Sequence, residues 1–235
     1  MNNRIIGLLG GMSWESTATY YRLINEGIRD ALGKLHSAHI VLYSVDFAPI
    51  ERLQHAGDWD GTAAILGEAA RSIEQAGARC LLICTNTMHR VAPQIEAAIT
   101  IPLLHIADAT AVELRRRGVS RVGLLGTRFT MEQDFYRGRL EQRFNLEVLT
   151  PPLPEREILH RVIYDELCHG ILRQDSREAF LRIIDGLKRT GAEAVILGCT
   201  EIGLLVKPAD TGVMLLDTTE LHARAAVDFA LDRGH

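Results

Sequence analysis

The chain has no excess of positive charge, no long apolar run and few cysteines, and each of these lacks excludes something. A formal net charge of −4 argues against a nucleic-acid or membrane-surface partner, either of which favours a basic balance. The one basic run, Arg115-Arg116-Arg117 before Gly118, reads as a solvated helix end whose cations complement the helix dipole. No apolar stretch reaches membrane-spanning length. The start, Met1-Asn2-Asn3-Arg4-Ile5, leads directly into a strand-like run without a signal-peptide pattern. The expectation is a cytoplasmic chain in which Cys80, Cys84, Cys168 and Cys199 remain free thiols. Cys80 and Cys84 have neither CxxC spacing nor a partner set for zinc. Gly10-Gly11 lacks the GxGxxG spacing of a dinucleotide site. With no lysine or ligand cluster beside the motifs below, neither a cofactor nor a metal is expected.

What the chain does contain is a regular alternation. Ile5 to Leu9, Ile40 to Val45, Cys80 to Cys84, Val122 to Leu125 and Val195 to Leu197 read as buried strands of parallel sheets. Amphipathic stretches lie between them, such as Ile65, Leu66, Ala69, Ala70 and Ile73 on one helical face. Gly33, Gly77, Gly118 and Gly191 fall where helices should stop. Thr130-Met131-Glu132-Gln133 matches a capping box and predicts a helix start. The class is α/β with crossover helices.

The alternation also repeats itself. Gly7-Leu8-Leu9-Gly10 recurs 116 residues on as Gly123-Leu124-Leu125-Gly126. Gly77-Ala78 with the run from Cys80 recurs 114 residues on as Gly191-Ala192 with the run from Ala194. Two matches at nearly one displacement indicate an internal duplication. Each half is then a small parallel sheet flanked by helices, and two pseudo-symmetric lobes present their strand ends to one interlobe cleft. Residues 1–104 with 212–235 are assigned to lobe 1 and 105–211 to lobe 2, the final helix carrying Leu221, Ala225 and Phe229 on one face.

Four segments end at those strand termini: Gly10-Gly11-Met12-Ser13, Thr85-Asn86-Thr87, Thr127-Arg128-Phe129-Thr130 and Cys199-Thr200-Glu201. They are small, polar turns rich in backbone N–H groups, which suit carboxylates. The two glycines read equally well as a structural tight turn. Cys199, at a strand end before Thr and Glu, is the candidate for a stabilised thiolate. Cys80, Cys84 and Cys168 fit the reading of inert thiols better. The repeat places Thr85 opposite Cys199, which suggests an acid and a base on two faces of one substrate carbon. His89 either orients a substrate or is a satisfied interior histidine, whereas His105 and His222 read as structural. Trp14 covers the pocket or simply packs.

These motifs, Gly7 to Met12, Thr85-Asn86-Thr87-Met88-His89 and Gly198-Cys199-Thr200-Glu201, resemble those of the aspartate/glutamate racemase family. The similarity is greatest to its bacterial branch of L-aspartate/glutamate-specific racemases, and it extends to the Asp217-Thr218 turn. The resemblance implies a two-lobed fold, a homodimer, no pyridoxal phosphate, and catalysis at Thr85 and Cys199. It also implies pocket roles for Met12, Thr127 and Glu201, with Glu201 on the substrate ammonium. Most of the family has cysteine where Thr85 stands; here the cysteine is Cys84, which on strand alternation points away.

The implied reaction is racemisation of L-Glu or L-Asp at Cα. The Cys199 thiolate removes the proton, and Thr85 or a water it positions returns one to the other face. Asn86, Thr87 and Thr200 stabilise charge growing on the α-carboxylate. Arg52 and Arg128 are the candidate partners of the side-chain carboxylate. Two other readings use the same positions: a Cys-dependent isomerase or decarboxylase of a small dicarboxylate, and a non-catalytic acidic amino-acid sensor, which needs no reactive thiol.

Overall fold

The computed structural model describes residues 4–233. Its first half contains β1 (Ile6–Gly10), α1 (Trp14–Leu32), β2 (Ile40–Ser44), α2 (Phe47–Ala56), α3 (Trp59–Gln75), β3 (Cys80–Ile83) and α4 (Ala92–Ala97). There follow α5 (Ile106–Arg116), β4 (Arg121–Gly126), α6 (Arg128–Glu132), α7 (Arg137–Phe144), β5 (Glu147–Leu149) and α8 (Leu153–Asp165). The chain continues with α9 (Gln174–Arg189), β6 (Ala194–Gly198), α10 (Ile202–Leu205), β7 (Met214–Asp217) and α11 (Thr218–Ala230). The fully apolar runs form the central strands because both sheet faces are covered by helices, leaving no solvent side for polar alternation. Gly33, Gly77, Gly118 and Gly191 follow helices at positive φ, as their placement predicted.

The chain divides into two compact units, one reaching Ile106 and resuming at His222, the other spanning Ala107–Leu221. The first holds a parallel sheet in the order β2-β1-β3, extended by a parallel bridge from Leu81 to Leu103. The second holds a parallel sheet in the order β5-β4-β6-β7. The architecture is therefore α/β, with two small parallel sheets flanked by helices. The duplication is visible in the register: Leu9 pairs with Ile83, and Leu125 pairs with Leu197. Thr85 and Cys199 each lie two residues beyond these equivalent rungs.

Four expectations need correction. Residues 212–235 do not all join the first lobe, because Met214–Asp217 completes the second sheet by pairing with β6. Only from His222 does the chain belong to the first unit. There α11 buries Ala223, Ala226, Val227 and Ala230 against Tyr20, Ile24 and Ile28; of the expected face through Leu221, Ala225 and Phe229, only Phe229 packs, partly buried, against that cluster. Small residues win that face because α1 and α11 approach closely, Gly27 having no room for a side chain beside Val227. No helix starts at Thr130; α6 begins at Arg128 with Thr127 as its cap and ends at Glu132. Ile65 is exposed, while Leu66, Ala69, Ala70 and Ile73 face the sheet.

Candidate active site

At the first strand end, the Gly10-Gly11 turn exists because nothing larger fits. A Cβ on Gly10 would collide with Thr17, and one on Gly11, at φ +95°, with the backbone of Val45. The Gly11 N–H is already given to Thr17 Oγ1 at 2.8 Å, and Ser13 caps α1. The Gly11 N–H and the Ser13 hydroxyl oxygen are thus committed to the fold, and the glycines are accounted for by packing. Met12 is buried in the core with Leu9, Ile50 and Met88. Trp14 stays exposed.

Thr85 lies two residues beyond the end of β3 and is half-buried, followed by the buried Asn86 and Thr87 at the head of a 3₁₀ turn. Behind them stands a histidine cluster. His89 Nδ1–H donates to the Thr85 carbonyl at 2.8 Å, and its Nε2 accepts the Ile106 N–H at 3.3 Å. The His105 and His222 rings lie edge-on to His89, their centroids 4.5 and 5.7 Å away. His222 in turn donates from Nε2 to Leu104 O at 2.6 Å and accepts from Tyr20 at 2.8 Å. Burial, reinforced by the neighbouring rings, holds His89 well below the ordinary histidine range, and burial brings His222 down to about 4. Both are neutral at physiological pH. His89 thus orients the backbone of Thr85, and the sequence alone did not distinguish this from substrate contact.

Cys84 is fully buried on the other side of the strand, with Tyr20, Ile24 and Ile28. Burial pushes its thiol well above the ordinary range and that of Cys80 up to about 12. Both are inert at neutral pH.

The second strand end is built differently. Gly198 is required because a Cβ there would strike Leu125 O, and Thr130 packs into the same space. Thr127 is buried and spends its hydroxyl on the Thr130 N–H at 3.4 Å, capping α6. Cys199 follows, and its Sγ donates to Glu201 Oε2 at 2.9 Å. Thr200 Oγ1 donates to the same oxygen at 2.6 Å. Glu201 is almost fully buried.

The Cys199 thiol is pushed well above the ordinary range, first by burial of the sulfur, then by the Glu201 carboxylate, with Cys168 adding to it. This corrects the expected stabilised thiolate: the surroundings favour the protonated thiol. What sequence reasoning missed was the carboxylate two residues on, which the turn after β6 folds back onto the sulfur. Cys168 also enters the field of Cys199 from the 3₁₀ turn at 167–169, although it read as merely inert.

Arg52 on α2 and Arg128 on α6 are both exposed. A third cation, Arg90, lies in the turn after Thr87 with its guanidinium 4.1 Å over the Trp59 ring. Among the described residues no group of three His, Cys, Asp or Glu side chains is arranged to hold a metal. Among the same residues no helix is long and apolar enough to cross a membrane.

Two parallel sheets with matching registers and polar residues beyond equivalent strand ends define a duplicated α/β protein. The Asp/Glu/Hydantoin racemase family model matches residues 9–226, and the chain belongs to that family of isomerases. It is similar to a crystal structure from Yersinia pestis provisionally named an Asp/Glu racemase, at 55% identity and TM-score 0.92, covering 97% of this chain and 99% of that one. An aspartate racemase homologue from Pyrococcus horikoshii is 38% identical with TM-score 0.85, over 98% of this chain and 100% of the other. The broad specificity amino-acid racemase RacX of Bacillus subtilis is 20% identical over 95% of this chain and 96% of its own length.

Proposed function

We propose that this protein racemises the acidic amino acids aspartate and glutamate, without a cofactor, by proton transfer at Cα. The observation that carries the reading is the register equivalence of Thr85 and Cys199 within a family of Asp/Glu racemases. Two groups related by duplication are suited to work on opposite faces of one tetrahedral carbon. Cys199 removes the Cα proton of the L-isomer, and Thr85, or a water it positions, delivers a proton to the other face. A threonine hydroxyl is far less acidic than a thiol and a poor base, so it serves better as donor than as acceptor.

Charge that develops on the α-carboxylate is met by Asn86, Thr87 and Thr200, and a preorganised donor of this kind is worth about a hundredfold or more in rate. Met12 and Thr127 serve their own strand ends as packing and capping residues. Arg52 serves the side-chain carboxylate. The protein acts in the cytoplasm as a homodimer.

The test is proton NMR of L-Asp and L-Glu with the protein in D₂O. Loss of the Cα–H signal with appearance of the D-isomer is the expected result. Full retention of the signal for both amino acids would remove the reading.

A further inference from the structure

The proposed base poses a problem. Cys199 sits where its thiol is held protonated, while the reaction needs a sulfur able to accept a proton. The hydrogen bond supplies the answer. Cys199 Sγ points at Glu201 Oε2 at 2.9 Å, and Thr200 fixes that same oxygen at 2.6 Å, so the carboxylate is both aimed and immobilised. Resting on the racemase reading, we propose that Glu201 acts through Cys199 as the acceptor of its proton, and does not hold the substrate ammonium.

In the forward step the thiol proton passes from Sγ to Oε2, and the Sγ lone pair so released takes the proton from Cα. The Cα–H bond breaks, a new S–H bond forms, and the electron pair left on carbon spreads into the α-carboxylate. The site then holds a thiol and a carboxylic acid. Thr85 or its water protonates the opposite face and recovers its proton from solvent, while Glu201 returns one to solvent. Protons balance, and no oxidant or second substrate is involved.

Cys168 faces Cys199 from the 167–169 turn and disfavours the thiolate, as Glu201 itself does, while the Glu201 N–H opposes them. Asp217 at the end of β7 lies against Gly203, one turn further along. The groups that shift the thiol's ionisation are its burial, Glu201 and Cys168, and the acceptor its proton points at is the Glu201 carboxylate.

Glu201→Gln keeps the shape and removes the acceptor. At neutral pH it should lower kcat about a hundredfold with little change in KM. Activity should then climb with pH as the thiol ionises directly, whereas the wild-type protein keeps its neutral-pH rate. Glu201→Asp, which retains the charge, should recover part of kcat and the neutral limb. A raised KM with unchanged kcat, or a uniformly lowered rate with the wild-type pH profile, would overturn the proposal in favour of ammonium binding or a purely structural role.

A second measurement needs no variant at Glu201. Alkylation of Cys199 by iodoacetamide in the wild-type protein, identified by its loss in Cys199→Ala, should be slow at pH 7 and accelerate only at alkaline pH. Rapid alkylation at pH 6 would also overturn the proposal. Wild-type protein that exchanges no Cα proton defeats the racemase reading itself, which keeps the two failures apart.

Discussion

The two strand ends share a backbone and differ in what surrounds the residue placed there. At the end of β3, Thr85 is backed by His89, His105 and His222, of which His89 and His222 are neutral, with their ring nitrogens engaged. At the end of β6, Cys199 is backed by a carboxylate and a hydroxyl. The first arrangement holds a group still; the second gives a proton somewhere to go. The equivalent registers thus set where Thr85 and Cys199 fall, while the side chains around them have diverged, and on the proposed reading one serves as a fixed donor and the other as a proton-accepting pair. Helix exchange accompanies this divergence. The helix α5 follows the first sheet yet belongs almost wholly to the second unit, and α11 follows the second sheet and belongs mostly to the first.

The comparison is broken most directly by deleting the thiol at the second strand end. Cys199→Ala should reduce Cα–H exchange by about a thousandfold or more, within the range that general acid–base groups supply. Its fold should persist, since the thiol is only half-buried as a residue and its bonds are local. Cys80→Ala, in the core of the first unit, should leave the rate within a fewfold of wild type while lowering stability. If the two variants show equal exchange by NMR, the strand-end assignment is wrong.

How far this was legible in the sequence depends on the range of the interaction involved. The runs of apolar residues in β1, β3, β4 and β6 and the glycines after the helices are local signals, and they placed both sheets and the repeat. The three-residue strand β5 was not legible, because Glu147–Leu149 is too short to show a period and only Val148 is deeply buried. The membership of β7 was not legible either, since a parallel strand declares its sheet only through partners distant in sequence. At the site, the equivalence of Thr85 and Cys199 followed from the offset. The sign of the shift at Cys199 did not, because it depends on how a tight turn orients Glu201.

A second test makes the two ends alike. Thr85→Cys puts a thiol at each strand end and should raise turnover about tenfold, a modest gain because no carboxylate accompanies the new thiol. The equilibrium constant between enantiomers is one, so kcat/KM must rise by the same factor from either direction. The asymmetry should instead appear in isotope washout. D-substrate in D₂O should exchange its Cα proton faster in the variant than in the wild type, relative to product formed. A folded variant with unchanged or slower reaction of the D-isomer would show that Thr85 is not the opposing position.

The smallest effect concerns stability, and it again sets the first unit against the second. His222 is brought from the ordinary 6.5 down to about 4 by burial, so the unfolded chain binds the extra proton first as pH falls. Its contribution is complete above about pH 6.5 and is lost as pH falls toward 4, a difference of about 3 kcal/mol. His89, shifted the same way, adds to that loss. Asp217 in the second unit is raised from 3.8 to about 6, chiefly by burial and then by Glu220, and has the opposite sign. There the folded chain binds the proton first, so stability is gained as pH falls from about 6 toward 3.8, also by about 3 kcal/mol. The two terms oppose each other, and His89 acts in the direction of His222. Asp217→Asn should therefore steepen the decline in urea midpoint between pH 7 and pH 4.5. His222→Gln, which can still bond Tyr20 and Leu104, should flatten the decline or reverse it. Parallel midpoint curves for wild type and both variants would mean that neither group is buried as described, and the neutral histidine support of Thr85 would lose its basis.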